Sequence, residues 1–288
     1  MRRIGKEKKK GRENLPNERR TVMLYLVATP IGNLKDISYR AIETLSLVDE
    51  IACEDTRRTA ILLNHYGIKK PLVSYHKFNE RESGEKLIEK LKEGKNVALV
   101  SDAGMPVISD PGAILVNMLI ENDLPYTIIP GACAFVSALA LSGFDGTKVA
   151  FLGFLPEKNK ERTELLEKYK NLDLTLAFYS APHDAEKDVK TLFEVLGDRN
   201  AVAVKEITKL HERAERFKLS EGLPSEPKGE YVLLVEKGED CNSLVSLSEK
   251  EHIKYYMDMG YDKKEAVKAA AKDRGVKKSD LYKFSIDL

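Results

Sequence analysis

Between residues 22 and 143, short apolar runs alternate with amphipathic segments, and this alternation limits the fold more than any other feature of the chain. VMLYLVA (22–28), EIACE (50–54), PLVSYH (71–76), NVALV (96–100) and PYTIIPG (125–131) have the length and β-branched content of buried strands. Between and after them, ISYRAIETLSLVD (37–49), DTRRTAILLNHYG (55–67), ERESGEKLIEKLKEGK (80–95), AILVNMLIEND (113–123) and ACAFVSALALSG (132–143) carry apolar residues at helical spacing, with Gly67 as a stop. A strand–helix repeat of this kind predicts a mainly parallel sheet covered by helices.

After Phe144 the pattern becomes richer in strand and in charge. KVAFLGFLP (148–156), LTLAFYSAP (174–182), NAVAVKEITK (200–209) and GEYVLLVEKGE (229–239) read as strands, and 158–171 and 184–196 as helices, which makes a second α/β domain. Residues 247–288 read as three short helices broken at Gly260 and Gly275. Ten Lys/Arg face seven acidic residues over 249–283. Such a module serves either as a helix-turn-helix reader or as a packing bundle, and charge alone leaves both open. The expected organisation is a basic extension (1–21) that can be disordered, an α/β domain (22–145), a second α/β domain (146–240) and a helical module (241–288).

The whole-chain charge of +1 is unevenly spread. Residues 1–20 hold nine Lys/Arg and three Glu, a net of +6, so the rest carries −5. The body is therefore not a uniformly basic binder, whereas the tail suits contact with a polyanion or simple solubilisation. No run approaches the ~18 apolar residues of a membrane span, and no signal-like segment follows the basic start; a cytoplasmic protein is expected. Cys53, Cys133 and Cys241 are too scattered for a disulfide framework, and the five histidines form no metal spacing, so no metal is expected.

The loops that would leave the carboxyl ends of the first strands are TPIGN (29–33), EDTRRT (54–59), SDAGMPVISDPG (101–112) and PGACA (130–134). They contain neither a P-loop nor a GxGxxG triplet. Acidic residues, small side chains and turn-formers fit a ligand without phosphate, such as S-adenosylmethionine, better than a pyrophosphate. Carboxylates and carbonyls there would favour the positive sulfonium.

LYLVATPIGNLKDISYRAIETL, CEDTRRT, SDAGMPVISDPG, PGACAFVSALALSG, FLGFLP and FYSAPH occur in the order found in one family. The chain resembles the ribosomal RNA small subunit methyltransferase I family, of the tetrapyrrole-methylase-like S-adenosylmethionine enzymes, over residues 22–240, and its tail resembles that family's C-terminal module. The resemblance implies two α/β domains with the cofactor in the cleft between them, a homodimer, and 2′-O-methylation of a cytidine ribose in 16S rRNA. It places Ile31, Asp102, Gly104, Met105, Cys133 and Ala134 at the cofactor, with Tyr179, Ile207 and Tyr231 from the second domain. Met105, Ala132, Ser180 and Asp184 depart from the family's usual Thr, Pro, Glu and Arg.

A 2′-hydroxyl needs a proton acceptor, for which Glu54 and Asp55 are candidates, with Arg57 and Arg58 on an RNA phosphate. The other reading of EDTRRT is a helix start with acidic residues at the dipole. Lys205 and Lys209, on an expected strand, are further RNA contacts. His76, His183 and His211 read as structural, and Cys53 as core. Two other functions compete: a related methylase acting on a tetrapyrrole, other small molecule or modified protein side chain, and a non-catalytic nucleic-acid-binding protein.

Overall fold

The structure, a computed structural model, describes residues 22–238, 244–245, 247–286 and 288. The basic extension and Cys241 lie outside the described residues. The described residues fall into two compact units, 22–29 with 38–130 and 30–37 with those from 131 onward.

The first unit is built on five parallel strands, β1 (Leu24–Val27), β2 (Glu50–Cys53), β3 (Leu72–Ser74), β4 (Val97–Val100) and β5 (Tyr126–Ile129), in the order β3-β2-β4-β1-β5. Its helices are α1 (Tyr39–Leu47), α2 (Thr56–His65), α3 (Glu80–Lys92) and α4 (Ala113–Glu121). β4 is buried at every position, because both faces of a parallel sheet are covered. Leu24, Leu26, Val97 and Leu99 pack with α3 and α4, while Val27, Ile51, Ala98 and Val100 are equally buried on the opposite face. The connections from β1 to β2 and from β4 to β5 leave these neighbours in opposite directions across the sheet. At such a point an open α/β sheet presents a crevice at its carboxyl edge.

The second unit holds a mixed sheet of β6 (Val149–Phe154), β7 (Thr175–Ser180), β8 (Asn200–Lys205), β9 (Arg213–Lys218) and β10 (Tyr231–Val235), ordered β6-β7-β10-β8-β9. Only β6 and β7 run parallel. α5 (Ala134–Ser142), almost wholly apolar, puts Ala138 against Ala177, Val202, Val204, Val232 and Leu234 on one face. α6 (Asn159–Tyr169) and α7 (Ala185–Leu196) cover the other face with Leu166, Val189 and Leu192. There Arg162 and Asp188, both 2% exposed, pair at 2.7 Å, and Ser180 Oγ donates to Asp188 Oδ2 at 2.6 Å. Ser180 is thereby a buried partner of an ion pair.

Two strands of this unit differ from the sequence expectation, and α5, expected within a domain ending at residue 145, falls with this unit. The strand expected over 200–209 stops at Lys205, because Glu206 (φ 52°) and Thr208 (φ 66°) turn left-handed and break the ladder. β9 was not anticipated: it is an edge strand whose exposed residues are charged, so its sequence lacks an apolar stripe.

The C-terminal residues form α8 (Glu249–Asp258), α9 (Lys263–Asp273) and α10 (Lys278–Tyr282), broken at Gly260 (φ 92°) and Gly275 (φ 63°) as the sequence suggests. SEKE (248–251) and DKKE (262–265) form capping boxes at the first two helices. Ile253, Ala266, Val267, Ala270 and Leu281 make the core. Beside it the fully buried His252 accepts from Arg274 Nε at Nδ1 (3.1 Å) and meets Asp273 through Nε2 (3.2 Å). Among the described residues no helix is long and apolar enough to cross a membrane.

Candidate active site

In the first unit the polar loops gather at the carboxyl ends of β1, β2 and β4. The 101–112 loop is tied to the end of β1 by reciprocal backbone bonds, Thr29 N–H to Gly104 O (2.8 Å) and Gly104 N–H to Thr29 O (3.1 Å). Thr29 Oγ1 also donates to Ser101 O at 3.1 Å. Four residues of this loop take positive φ: Gly104 (86°), Val107 (76°), Ser109 (64°) and Gly112 (139°). A β-branched residue in that region is strained, and strain of this kind concentrates at functional loops. A Cβ on Gly112 would lie 2.8 Å from Val107 Cγ2 and 3.0 Å from Leu99 Cδ2, so no side chain fits. Gly112 N–H donates to Glu80 Oε2 (3.3 Å), which also accepts from the buried Tyr75 hydroxyl.

Asp102 joins this loop to EDTRRT. Its Oδ1 accepts from Asp55 N–H (3.1 Å) and its Oδ2 from Arg58 Nη1 (3.2 Å). Asp55 is the N-cap of α2, accepting from Arg57 N–H at 2.8 Å and from the Arg57 guanidinium at 3.1 and 2.8 Å. These bonds from Arg57 lower the Asp55 carboxyl to about 2, where it is a feeble base. Glu54 behaves oppositely. Burial lifts its carboxyl above the ordinary range and the Asp102 charge adds to the lift, while Arg58 and His76 pull against it. Asp110, in the same loop as Asp102 but with no role legible in the motif, is pushed up to about 6 by burial and then by the charge of Glu54. Its signal was the repeat of Ser-Asp at 101–102 and 109–110 within one loop.

Glu54, Asp55, Asp102, Gly104 and Met105 thus belong to the strand-end loops of this unit, with Arg57 and Arg58 in the first turn of α2. Its carboxylates outnumber the cations that compensate them. Such a cluster can draw a cationic ligand and accept a proton.

In the second unit Ile31, Ala134, Tyr179 and Ile207 share one apolar layer, and Cys133 is the N-cap of α5. Phe151 stacks on Phe135 at 4.4 Å and meets Tyr179 edge-on at 4.8 Å. Gly32 sits so close to the 207–209 turn that a Cβ would meet Lys209 Cγ at 2.6 Å and Ile207 O at 2.9 Å. Asn33 N–H donates to Thr208 Oγ1 at 3.0 Å.

Tyr231 and Lys205 are not in this layer. Tyr231 lies in the core with Leu166 and Val189, its hydroxyl donating to Glu226 O at 3.2 Å. Lys205 follows Ala201 and Ala203 onto that same face, bonds Ser225 and Glu215, and lies 5.9 Å from the Tyr231 ring. Strand alternation puts both side chains opposite Tyr179 and Ile207. Lys209, in the turn, pairs with Glu206 at 3.0 Å and Glu230 at 3.5 Å. His183 reaches Asp184 at 3.2 Å, and Cys53 is fully buried. Among the described residues, no group of three His, Cys, Asp or Glu side chains is arranged to hold a metal.

Comparison with known proteins agrees with this architecture. The model of the tetrapyrrole (corrin/porphyrin) methylases matches residues 23–222. A Halalkalibacterium halodurans protein named ribosomal RNA small subunit methyltransferase I is 45% identical over 268 residues, 90% of this chain and 93% of its own. Its Bacillus subtilis namesake is 44% identical over 270 residues, 90% and 92% of the two chains. Among solved structures, a diphthine synthase superposes with a TM-score of 0.61 at 16% identity, over 75% of this chain and 89% of that one. The uroporphyrin-III-C-methyltransferase of Thermus thermophilus gives 0.54 at 18%, over 75% and 94%. At those identities the structures speak for the fold alone. By the family model and the near full-length relatives together, the chain belongs to the tetrapyrrole methylase family, in the branch named ribosomal RNA small subunit methyltransferase I.

Proposed function

We propose that the protein transfers a methyl group from S-adenosylmethionine to the ribose 2′-hydroxyl of a cytidine in the 16S rRNA of the small ribosomal subunit. The observation that carries this reading is the 44–45% identity, over nine-tenths of the chain, to relatives named for small-subunit rRNA methylation. The residues present fit the cofactor. Asp102, with Gly104 and Met105 on the strained loop, offers carboxylate and close backbone to its cationic end. Ile31, Cys133, Ala134, Tyr179 and Ile207 offer apolar surface suited to an adenine. When bound, S-adenosylmethionine supplies an electrophilic methyl group on a sulfonium.

Within this proposal Glu54 takes the 2′-hydroxyl proton, since its raised affinity for protons suits a base, and Asp55 holds the start of α2. Arg57 and Arg58, 88% and 69% exposed, remain able to reach an RNA phosphate from their ion pairs. Lys209 keeps a role in RNA contact; Lys205, enclosed with Glu215, does not. The reading places the protein in the cytoplasm with the ribosome. It also carries a homodimer, toward which the exposed Tyr126 and Ile128 on edge strand β5 contribute apolar surface.

The test is methyl transfer from labelled S-adenosylmethionine to small subunits lacking the modification, followed by nucleoside mass spectrometry. The expected product is 2′-O-methylcytidine. Cofactor binding without transfer would turn the reading toward a small-molecule or protein methylase. Absence of both would favour a non-catalytic binder.

A further inference from the structure

Phe78 is 94% exposed, the most exposed large apolar side chain among the described residues. It stands in the turn HKFN (76–79) between β3 and α3, at the carboxyl edge of the first unit's sheet. That turn is rigidly held. His76 N–H donates to Asn79 Oδ1 (2.7 Å), Asn79 N–H to His76 O (2.9 Å), and Phe78 N–H to His76 Nδ1 (3.3 Å). Asn79 Nδ2 and Ser83 Oγ both donate to Ser74 O, at 3.3 and 3.2 Å. This bonding presents the Phe78 ring to water with only an edge contact from His76, 6.1 Å between ring centroids, so its exposure costs solvation.

The turn adjoins the carboxylate cluster. Tyr75 N–H donates to Cys53 O at 2.8 Å, so the residues that follow these two, His76 and Glu54, leave neighbouring strands side by side. Exposed cations flank the ring in the chain: Lys77 next to it and Arg81 in the first turn of α3. Lys77 and Arg81 have no ion-pair partner among the described residues.

We infer that Phe78 is the platform on which an unpaired nucleobase flanking the methylated nucleotide stacks, with Lys77 and Arg81 on the neighbouring phosphates. Single-stranded RNA is held by this combination of a preorganised aromatic face and surrounding cations. A second copy of the chain fits the site less well, because a two-fold contact through Phe78 would bring both copies' Lys77 and Arg81 together.

The inference rests on the proposed RNA substrate, and the test separates the two. Methyl transfer to unmodified small subunits is measured for Phe78→Ala, Phe78→Leu and Phe78→Trp, alongside titration of a labelled cytidine-rich single-stranded oligoribonucleotide. The exposed position leaves folding of the variants undisturbed. Ala and Leu are expected to raise KM for subunits and weaken the oligonucleotide by about 5- to 100-fold, with S-adenosylmethionine affinity unchanged, whereas Trp retains both. Ala within twofold of wild type, or Leu restoring full function, overturns the platform. Conversion of a dimer to monomers by Phe78→Ala in sedimentation overturns it in favour of a contact between copies. Wild-type protein that binds the oligonucleotide through Phe78 yet methylates no subunit sinks the rRNA substrate and keeps the platform. Wild-type protein that binds no RNA sinks both.

Discussion

Charged side chains crowd the strand ends of both units, and the two units treat them in opposite ways. In the second unit they cancel: Lys205 is enclosed with Glu215 and Ser225, and Lys209 bonds Glu206 strongly enough to hold that carboxyl below its usual range. In the first, Arg58 pairs with Asp102 and draws on Glu54 but does not act on Asp110, and burial and repulsion from neighbouring carboxylates lift Glu54 and Asp110. A charge already balanced supports the fold. One left unbalanced is held ready for a ligand or a proton.

The largest expected effect lies inside the unbalanced loop. Glu54→Gln should lower kcat by about 10²–10⁴-fold and leave S-adenosylmethionine affinity within a few-fold. Asp55→Asn should cost less than about tenfold in kcat, because a carboxyl held at about 2 is a poor base, and its loss should appear as a lower Tm through the weakened cap. Equal losses of kcat from both substitutions would erase the distinction between these neighbours.

The balanced side is tested by Lys205→Met, which strands Glu215 without its cation. It should cost about 2 kcal/mol in urea denaturation while leaving RNA affinity and its salt dependence unchanged. A reduced salt slope would show that Lys205 meets RNA after all. The smallest effect concerns Asp110. Its folded-state carboxyl, near 6, holds a proton more tightly than an unfolded one near 4, so its contribution to stability is present below about 4 and lost as pH rises through 6. Asp110→Asn should accordingly raise Tm by about 2–5 °C at pH 8 and by nothing measurable at pH 4. The same increment at both pH values would mean that Asp110 is compensated in the folded protein.

How much of this could be read from the sequence depended on local pattern. The parallel sheet was legible because each strand is a continuous apolar run between helices of clear periodicity, and the terminal helices because their caps and glycines are local signals. β9 was not: RAERFK alternates too weakly, and its partner β8 supplies the pairing. Nor could the side of Tyr231 be read, since YVLLV is buried at every position and only antiparallel pairing with β7 and β8 sets which residues face which layer. At the candidate site, the motif order pointed to these loops, whereas the different electrostatics of the neighbours Glu54 and Asp55 depend on which carboxylate Arg57 and Arg58 reach.

The discontinuous makeup of the second unit has a consequence in time. Residues 30–37 belong to it, yet the whole core of the first unit is synthesised before its remaining residues begin at Gly131. The first unit can close as soon as Pro130 has emerged, while the loop bearing Ile31 and Asn33 stays without its seat. Asn33 must wait for Thr208, 175 residues later. At roughly 5–20 residues per second, that is a delay of about 10–35 s. For that interval a nascent chain carries a finished first unit with a segment of the second, residues 30–37, threaded through its sequence and waiting for the partners that complete its own fold.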